Sequence, residues 1–275
     1  MQKSIQTGFD KVYCYPNTHV LKNKLNIHDT KRLQEAERKI TSINIHELEE
    51  TNDTPKTFNA KHLKAIHKHI FQDIYDWAGE FRTVDIAKGN MFCRVMFIED
   101  QLNYVFRQLH KENCLKNITD TTQMGERLSY YLSEINAIHP FREGNGRTQR
   151  IFIKQLAKQA GYNLDYSKIP EGELLKASIQ SFNCDYTHIQ ELITQALTPI
   201  PKSSYKTHIE QTKETKTNHT VQDKIDMQLK LYEKMHEENH KKHPNKSSQQ
   251  RKFENNIVSS TYGKTNPDDE LDGPK

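Results

Sequence analysis

Between Asp29 and Leu197 the apolar residues of this chain recur at intervals of three and four. That spacing constrains the fold to a row of amphipathic helices that bury their apolar stripes against one another. After Asp29, a suitable N-cap, comes TKRLQEAERKI, rich in helix formers. From Asn59 runs AKHLKAIHKHIFQDIYDWAG, with Leu63, Ile66, Ile70 and Ile74 on one side and Gly79 as the expected stop. Ile98–Leu109, Thr121–Ile138 and Asn145–Ala160 repeat the pattern, the last ended by Gly161, and two shorter helices are expected near Gly172–Phe182 and Tyr186–Leu197. His62, His67 and His69 are read as solvent-exposed, off the apolar side of their helix, and no H-E-x-x-H occurs among the 14 histidines. Trp77, Phe81, Tyr13 and Tyr15 are read as packing residues.

One stretch departs from the helical rule. Phe81–Ile98, FRTVDIAKGNMFCRVMFI, is β-branched and aromatic, and Lys88-Gly89-Asn90 interrupts it. It predicts a short hairpin turning around Gly89 and Asn90, with Lys88 solvated beside the turn. Hydrophobic residues make up only 34% of the 275, and the deficit falls mostly after Pro201. Residues 1–200 can therefore hold a core, whereas 201–275 read as a polar, largely disordered tail with one amphipathic helix at Val221–Met235. The expected fold class is all-α: a helical bundle with one small β-hairpin flap and a disordered C-terminal tail.

Forty Lys and Arg against 36 Asp and Glu leave a formal charge of +4, too small to imply nucleic acid. Cys14, Cys93, Cys114 and Cys184 form no C-x-x-C pair and are read as free thiols in a reducing compartment. No apolar run approaches the ~18 residues of a membrane helix, and MQKSIQTGFDKVY lacks the apolar stretch of a signal peptide. The expectation is a cytoplasmic protein without membrane contact, with translocation by a secretion system left open.

The densest chemistry lies in HPFREGNGRTQR, His139–Arg150. Pro140 stops the preceding helix, which places His139 at the mouth of a turn. Gly144-Asn145-Gly146 opens the next helix, where exposed N–H groups and the helix dipole make an anion site. Arg147 and Arg150, three apart, add two cationic forks suited to phosphate. Glu143 supplies a hard oxygen for Mg²⁺ held jointly with a nucleotide, and His139 a base that titrates near neutrality. Base, carboxylate, anion nest and two arginines together fit phosphoryl-type transfer. Neither a Walker P-loop nor a Rossmann fingerprint is present.

The string resembles the Fic motif, His-Pro-Phe-x-Asp/Glu-Gly-Asn-Gly-Arg-x-x-Arg, at every specified position. YPNTHVLKNKLNI at Tyr15–Ile27 and HIFQDIYDWAGEFRTVDIAKGN at His69–Asn90 are similar to the segments that precede the site in Fic proteins, so the likeness spans roughly Tyr13–Leu197. It implies an adenylyltransferase that uses ATP and Mg²⁺. His139 would deprotonate a Ser, Thr or Tyr hydroxyl of a target protein, which attacks the α-phosphorus and expels pyrophosphate. Phe141 would anchor the loop. Glu143 would bind Mg²⁺ between the α- and β-phosphates, and Gly144, Asn145 and Gly146 would cradle those phosphates. Arg147 would take the β-phosphate side and Arg150 the γ-phosphate. Lys88 is a further candidate ATP contact, on a flap that would pair with the target's backbone.

Many Fic proteins carry an inhibitory helix with Ser/Thr-x-x-x-Glu-Gly/Asn. The one match, Ser167–Gly172, contains Pro170 and is read as a loop leading into a core helix. The likeness therefore points to the toxin of a toxin–antitoxin pair, held by a small separate antitoxin. The ATPase subunits of type II topoisomerases are the candidate targets. A secreted effector with the same chemistry is the nearest alternative. Beyond these stand transfer or removal of a different phosphate-containing group, and a scaffold that binds without turnover; the intact His139 and Glu143 argue against the last.

Overall fold

The computed structural model describes residues 10–51 and 54–201. The expected tail, with its helix at Val221–Met235, lies outside the described residues apart from Pro201.

Seven helices carry the described fold: α1 (Thr30–Thr51), α2 (Ala60–Phe71), α3 (Ile98–Lys111), α4 (Thr121–Ile138), α5 (Asn145–Gln159), α6 (Glu173–Phe182) and α7 (Thr187–Ala196). Side-chain caps start several of them, the one at Asp29 as expected. Asp29 Oδ1 accepts from Arg32 N at 2.8 Å, Asn59 Oδ1 from His62 N at 3.1 Å, and Asp120 Oδ1 from Gln123 N at 2.8 Å. Helix α4 is central and packs against α3, α5, α6 and α7, while α2 joins α1 to α5. Leu63, Ile66, Ile70, Leu102, Leu128, Ile135, Phe152 and Ile193 are among the side chains fully removed from water in the shared core.

Helix α2 stops at Phe71, eight residues before the expected Gly79. Its last carbonyls are claimed from outside: Asn44 Nδ2 donates to Ile70 O at 3.1 Å, and Lys24 Nζ to Gln72 O at 2.8 Å. Ile74 and Tyr75 then turn back into the core, both buried. The expected hairpin shrinks to β1 (Ala87–Lys88) and β2 (Asn90–Met91), paired antiparallel around Gly89, whose φ is +75°. A second antiparallel pair was not expected: β3 (Tyr162–Leu164) pairs with β4 (Leu197–Pro199) and closes the chain back onto the end of α5.

His62 and His67 correct another expectation, for both are fully buried. His67 sits four after Leu63 and three before Ile70, inside the apolar stripe, and His62 sits four before Ile66 at its edge. Each ring is satisfied as a neutral tautomer. His62 Nδ1 accepts from Phe58 N at 3.3 Å while Nε2 donates to Gln155 Oε1 at 2.7 Å. His67 Nδ1 accepts from Gly79 N at 2.8 Å while Nε2 donates to Glu143 O at 3.0 Å. His69, by contrast, is half-buried.

Burial pulls His62 down to about 4 and His67 to about 3. Their unfolded counterparts titrate near 6.5. The unfolded chain therefore takes up protons first, so this stability is present above about pH 6.5 and is lost as the pH falls toward 4. At pH 5 the two rings together cost on the order of 4 kcal/mol. We expect the melting temperature to be roughly 10 °C lower at pH 5.0 than at pH 7.5. A midpoint that stays level over that interval would show the rings to be water-accessible.

Candidate active site

Helix α4 delivers His139 at its end. Its N–H still donates to Ile135 O at 3.0 Å, but the residue adopts φ +49° as the chain leaves the helix before Pro140. The carbonyl left pointing onward is held by a buried arginine from a different segment. Arg82, 2% exposed, donates from Nε to His139 O at 2.9 Å, from Nη2 to Ile138 O at 3.3 Å and to Cys93 O, and from Nη1 to Val84 O at 2.8 Å. Its backbone N–H also donates to Pro140 O at 2.9 Å. One guanidinium thus ties the end of α4 to both roots of the β1–β2 hairpin.

The His139 ring is oriented by two contacts. Its Nδ1 lies 3.2 Å from Asn136 O, which can only accept, so Nδ1 carries the proton and Nε2 is left as the base. Phe92, just after β2, stacks on the ring at 3.8 Å between centroids and 15° between planes. Burial is the main reason the imidazole is pulled down to about 4, and the positive charges of Arg82 and Lys88 add to it. Lys88 itself lies exposed on β1.

The loop from Phe141 to Gly144 is closed by one side chain. Asn145 Oδ1 accepts from Phe141 N at 2.9 Å and Nδ2 donates to Phe141 O at 2.8 Å, both buried. Asn145 therefore spends its amide on the loop and keeps only its backbone for a ligand. Phe141 is 1% exposed and stacks on His67 at 3.9 Å, so it anchors the loop as expected. Gly144, with φ +79°, caps α5; a Cβ there would come within 2.1 Å of the Phe71 ring. No other residue type combines that backbone with that approach. The first-turn N–H groups of α5, including Asn145 and Gly146, have no intrahelical acceptor, which leaves an anion-binding start.

Glu143 donates nothing and accepts from Gly144 N at 2.8 Å. Burial first, and the nearby Glu37 carboxylate second, push its carboxyl above the usual range. Glu37 was not singled out in the sequence. It lies on α1, 8% exposed, bound to the Tyr75 hydroxyl and to Arg147 Nη2 at 2.5 Å. Arg147 also donates to Thr41 Oγ1 at 3.1 Å, sits 3.5 Å from Glu143 Oε1 and covers the Phe71 ring at 4.7 Å. Arg150, one turn on, has no hydrogen bond or ion pair among the described residues, and burial lowers its basicity. The carboxylate of Glu143, half-buried beside the helix start, suits a divalent cation. Among the described residues no three His, Cys, Asp or Glu side chains gather as a metal cage. Glu143 would be the protein's ligand to a Mg²⁺ shared with a nucleotide.

The expected residues His139, Glu143, Gly144, Asn145, Gly146, Arg147 and Arg150 thus fall along one loop and one helix start, and Lys88 lies on the hairpin whose charge reaches His139. Missed were Glu37, Arg82, Phe92 and His67. His67 alone left a local signal, its place in the apolar stripe of α2. Ser167 to Gly172, the one match to an inhibitory helix, is a 3-10 turn at Tyr166–Lys168 followed by the Gly172 cap of α6.

Residues 57–157 match the Fic/DOC family model. The chain is 42% identical over 173 residues to a probable protein adenylyltransferase, y4lH, of Sinorhizobium fredii, covering 62% of this chain and 88% of that one. It is 41% identical over 192 residues to the protein adenylyltransferase VbhT of Bartonella schoenbuchensis, covering 70% of this chain but only 40% of that longer relative. In structure it is similar to the N-terminal Fic domain of a VirB-translocated effector of Bartonella quintana, solved with ADP bound. The TM-score is 0.67 at 25% identity, over 70% of this chain and 98% of that one. Among the described residues no helix is long and apolar enough to cross a membrane. The chain belongs to the Fic/DOC family, alongside relatives named as protein adenylyltransferases.

Proposed function

We propose that the chain transfers AMP from ATP to a hydroxyl side chain of a target protein, with pyrophosphate as the second product. The observation that carries this reading is the state of His139: a neutral ring, its Nδ1 proton on Asn136 O, its Nε2 bare at the edge of a donor-lined helix start. A hydroxyl brought to Nε2 loses its proton there as its oxygen attacks the α-phosphorus. The backbone of Gly144, Asn145 and Gly146 receives the phosphate charge, and Arg147 and Arg150 hold the β- and γ-phosphates. Glu143 holds Mg²⁺, which when bound neutralises phosphate charge and polarises the leaving pyrophosphate. The charge of Lys88 already bears on His139, which supports a place for it at the nucleotide's edge.

Within this chemistry the reading extends to the toxin of a toxin–antitoxin pair. The turn at Tyr166–Lys168 supports it, because it leaves inhibition to a separate small protein. The ATPase subunits of type II topoisomerases are the targets to try first. A second reading, a translocated effector, is favoured by the likeness to the Bartonella quintana effector domain.

The test compares α-³²P-ATP with γ-³²P-ATP in bacterial and eukaryotic lysates and on purified topoisomerase subunits. The expected result is a protein band from the α-label alone, in bacterial lysate. A band from the γ-label means phosphorylation and ends the AMP reading. A band in eukaryotic lysate alone replaces the toxin reading with the effector.

A further inference from the structure

Helices α1 and α5 and the turn after β3 line a half-open cleft of about 310 Å³. Three cations enter it from one face of α5: Arg147, Arg150 and Lys154, spaced three and four apart. Two of them are already engaged. Arg147 is held by Glu37 and Thr41, and Lys154 pairs with Glu49 at 2.6 Å. Arg150 between them has no hydrogen bond or ion pair among the described residues. The acid nearest in sequence to the far wall, Asp165, is turned onto its own loop, where Oδ1 accepts from Ser167 N at 3.0 Å and Ser167 Oγ at 2.7 Å.

Tyr166 is the other wall. It lines the cleft, and its hydroxyl is buried without a hydrogen-bond partner. An unpaired buried hydroxyl costs about 1–3 kcal/mol, so one that persists needs an explanation. Burial raises the phenol well above its ordinary value, and the positive charge of Arg150 opposes the rise, which places the two groups within electrostatic reach. The phenol is therefore a donor at any neutral pH. Tyr166, with an unpartnered O–H, and Arg150, with an unpartnered guanidinium, line one cleft and have the same need, an oxygen that accepts from both and carries negative charge.

We infer that Tyr166 donates to the terminal phosphoryl group of the bound nucleoside triphosphate, sharing that group with Arg150. This rests on the AMP-transfer reading, and it adds a binding residue that lies outside the His139–Arg150 motif. The position along α5 favours the terminal group over the others. The helix start at Gly144–Gly146 is a turn before Arg150, so the cleft lies beyond the phosphates held there. Tyr166 thereby separates a triphosphate from a diphosphate, because only the former extends to it.

The test is Tyr166→Phe in the full chain, which removes one oxygen and keeps the ring. Its melting temperature should match or exceed that of the unaltered chain, since the lost hydroxyl had no partner. Titration calorimetry with Mg²⁺ compares ADP with an ATP analogue whose β–γ bridge is an imide. We expect the variant to bind the analogue about tenfold more weakly, the loss of one hydrogen bond to a charged group, with ADP affinity held to within about twofold. Equal weakening for both nucleotides, or none for the analogue, overturns the role of Tyr166 alone. Failure of the unaltered chain to bind either nucleotide overturns the AMP-transfer reading, and this inference with it.

Discussion

His139→Ala lowers AMP transfer by about 10²–10⁴-fold and leaves the melting temperature close to that of the unaltered chain. On the proposed mechanism that loss is the loss of the general base. The fold is spared because the imidazole makes a single side-chain hydrogen bond, to Asn136 O at 3.2 Å, and is only half-buried. The same geometry sets a pH signature. A ring pulled down to about 4 is in its base form above that value and is lost as base only below it. The acid limb of kcat/KM, for a substrate that does not itself titrate there, should therefore fall near pH 4–5. A limb near 6.5 would mean that the ring is open to water and that Phe92 does not cover it. Undiminished labelling by the alanine variant would remove His139 from the mechanism.

The second large effect comes from outside the motif. Arg82→Ala leaves the carbonyls of His139, Ile138, Cys93 and Val84 without their shared donor. A fully buried acceptor left unpaired costs about 1–3 kcal/mol; only Ile138 O is that, the other three being partly buried, so the sum is on the order of 4 kcal/mol at most. That is roughly a 10 °C fall in melting temperature for a domain of this size. Arg82→Lys should recover little of it. An ammonium donates from one point, whereas the four carbonyls surround a planar fork. Transfer by Arg82→Ala should fall even at temperatures where the variant is folded, since the carbonyl that sets the His139 backbone is released. Thermal unfolding alongside single-turnover labelling at 20 °C separates the two effects. A variant with native stability would show that the arginine is replaceable by solvent.

The motif was legible because its parts are local. A proline after a histidine, two glycines at a helix start and arginines three apart define their geometry within one turn, and Asp29 marks a helix start in the same local way. What escaped was set by distant segments. Helix α2 ends at Phe71 because Asn44 and Lys24 take its last carbonyls, and nothing in DIYDWAG announces that. The β3–β4 pair joins strands separated by two helices. Glu37 reaches Arg147 across 110 positions. Arg82 sits in a stretch whose neighbours read as an ordinary strand, and a charged residue there suggests a solvated face until the carbonyls around it are seen. His67 is the exception, since its position four after Leu63 was available and its residue type argued the other way. Asn145 fell at the expected helix start, and its amide closes the loop onto Phe141, a contact the sequence did not suggest.

The β1–β2 hairpin divides into parts under opposite constraints. Ala87, Lys88, Asn90 and Met91 are all exposed and pair through their backbones, while the segments on either side are clamped to Arg82 through Val84 O and Cys93 O. The Ala87, Asn90 and Met91 side chains at the tip can be exchanged without opening a void, whereas Lys88, whose charge bears on His139, and the roots act on the proposed base. A lineage of such proteins is thereby free to drift at the tip and to acquire new clients while its chemistry stays still.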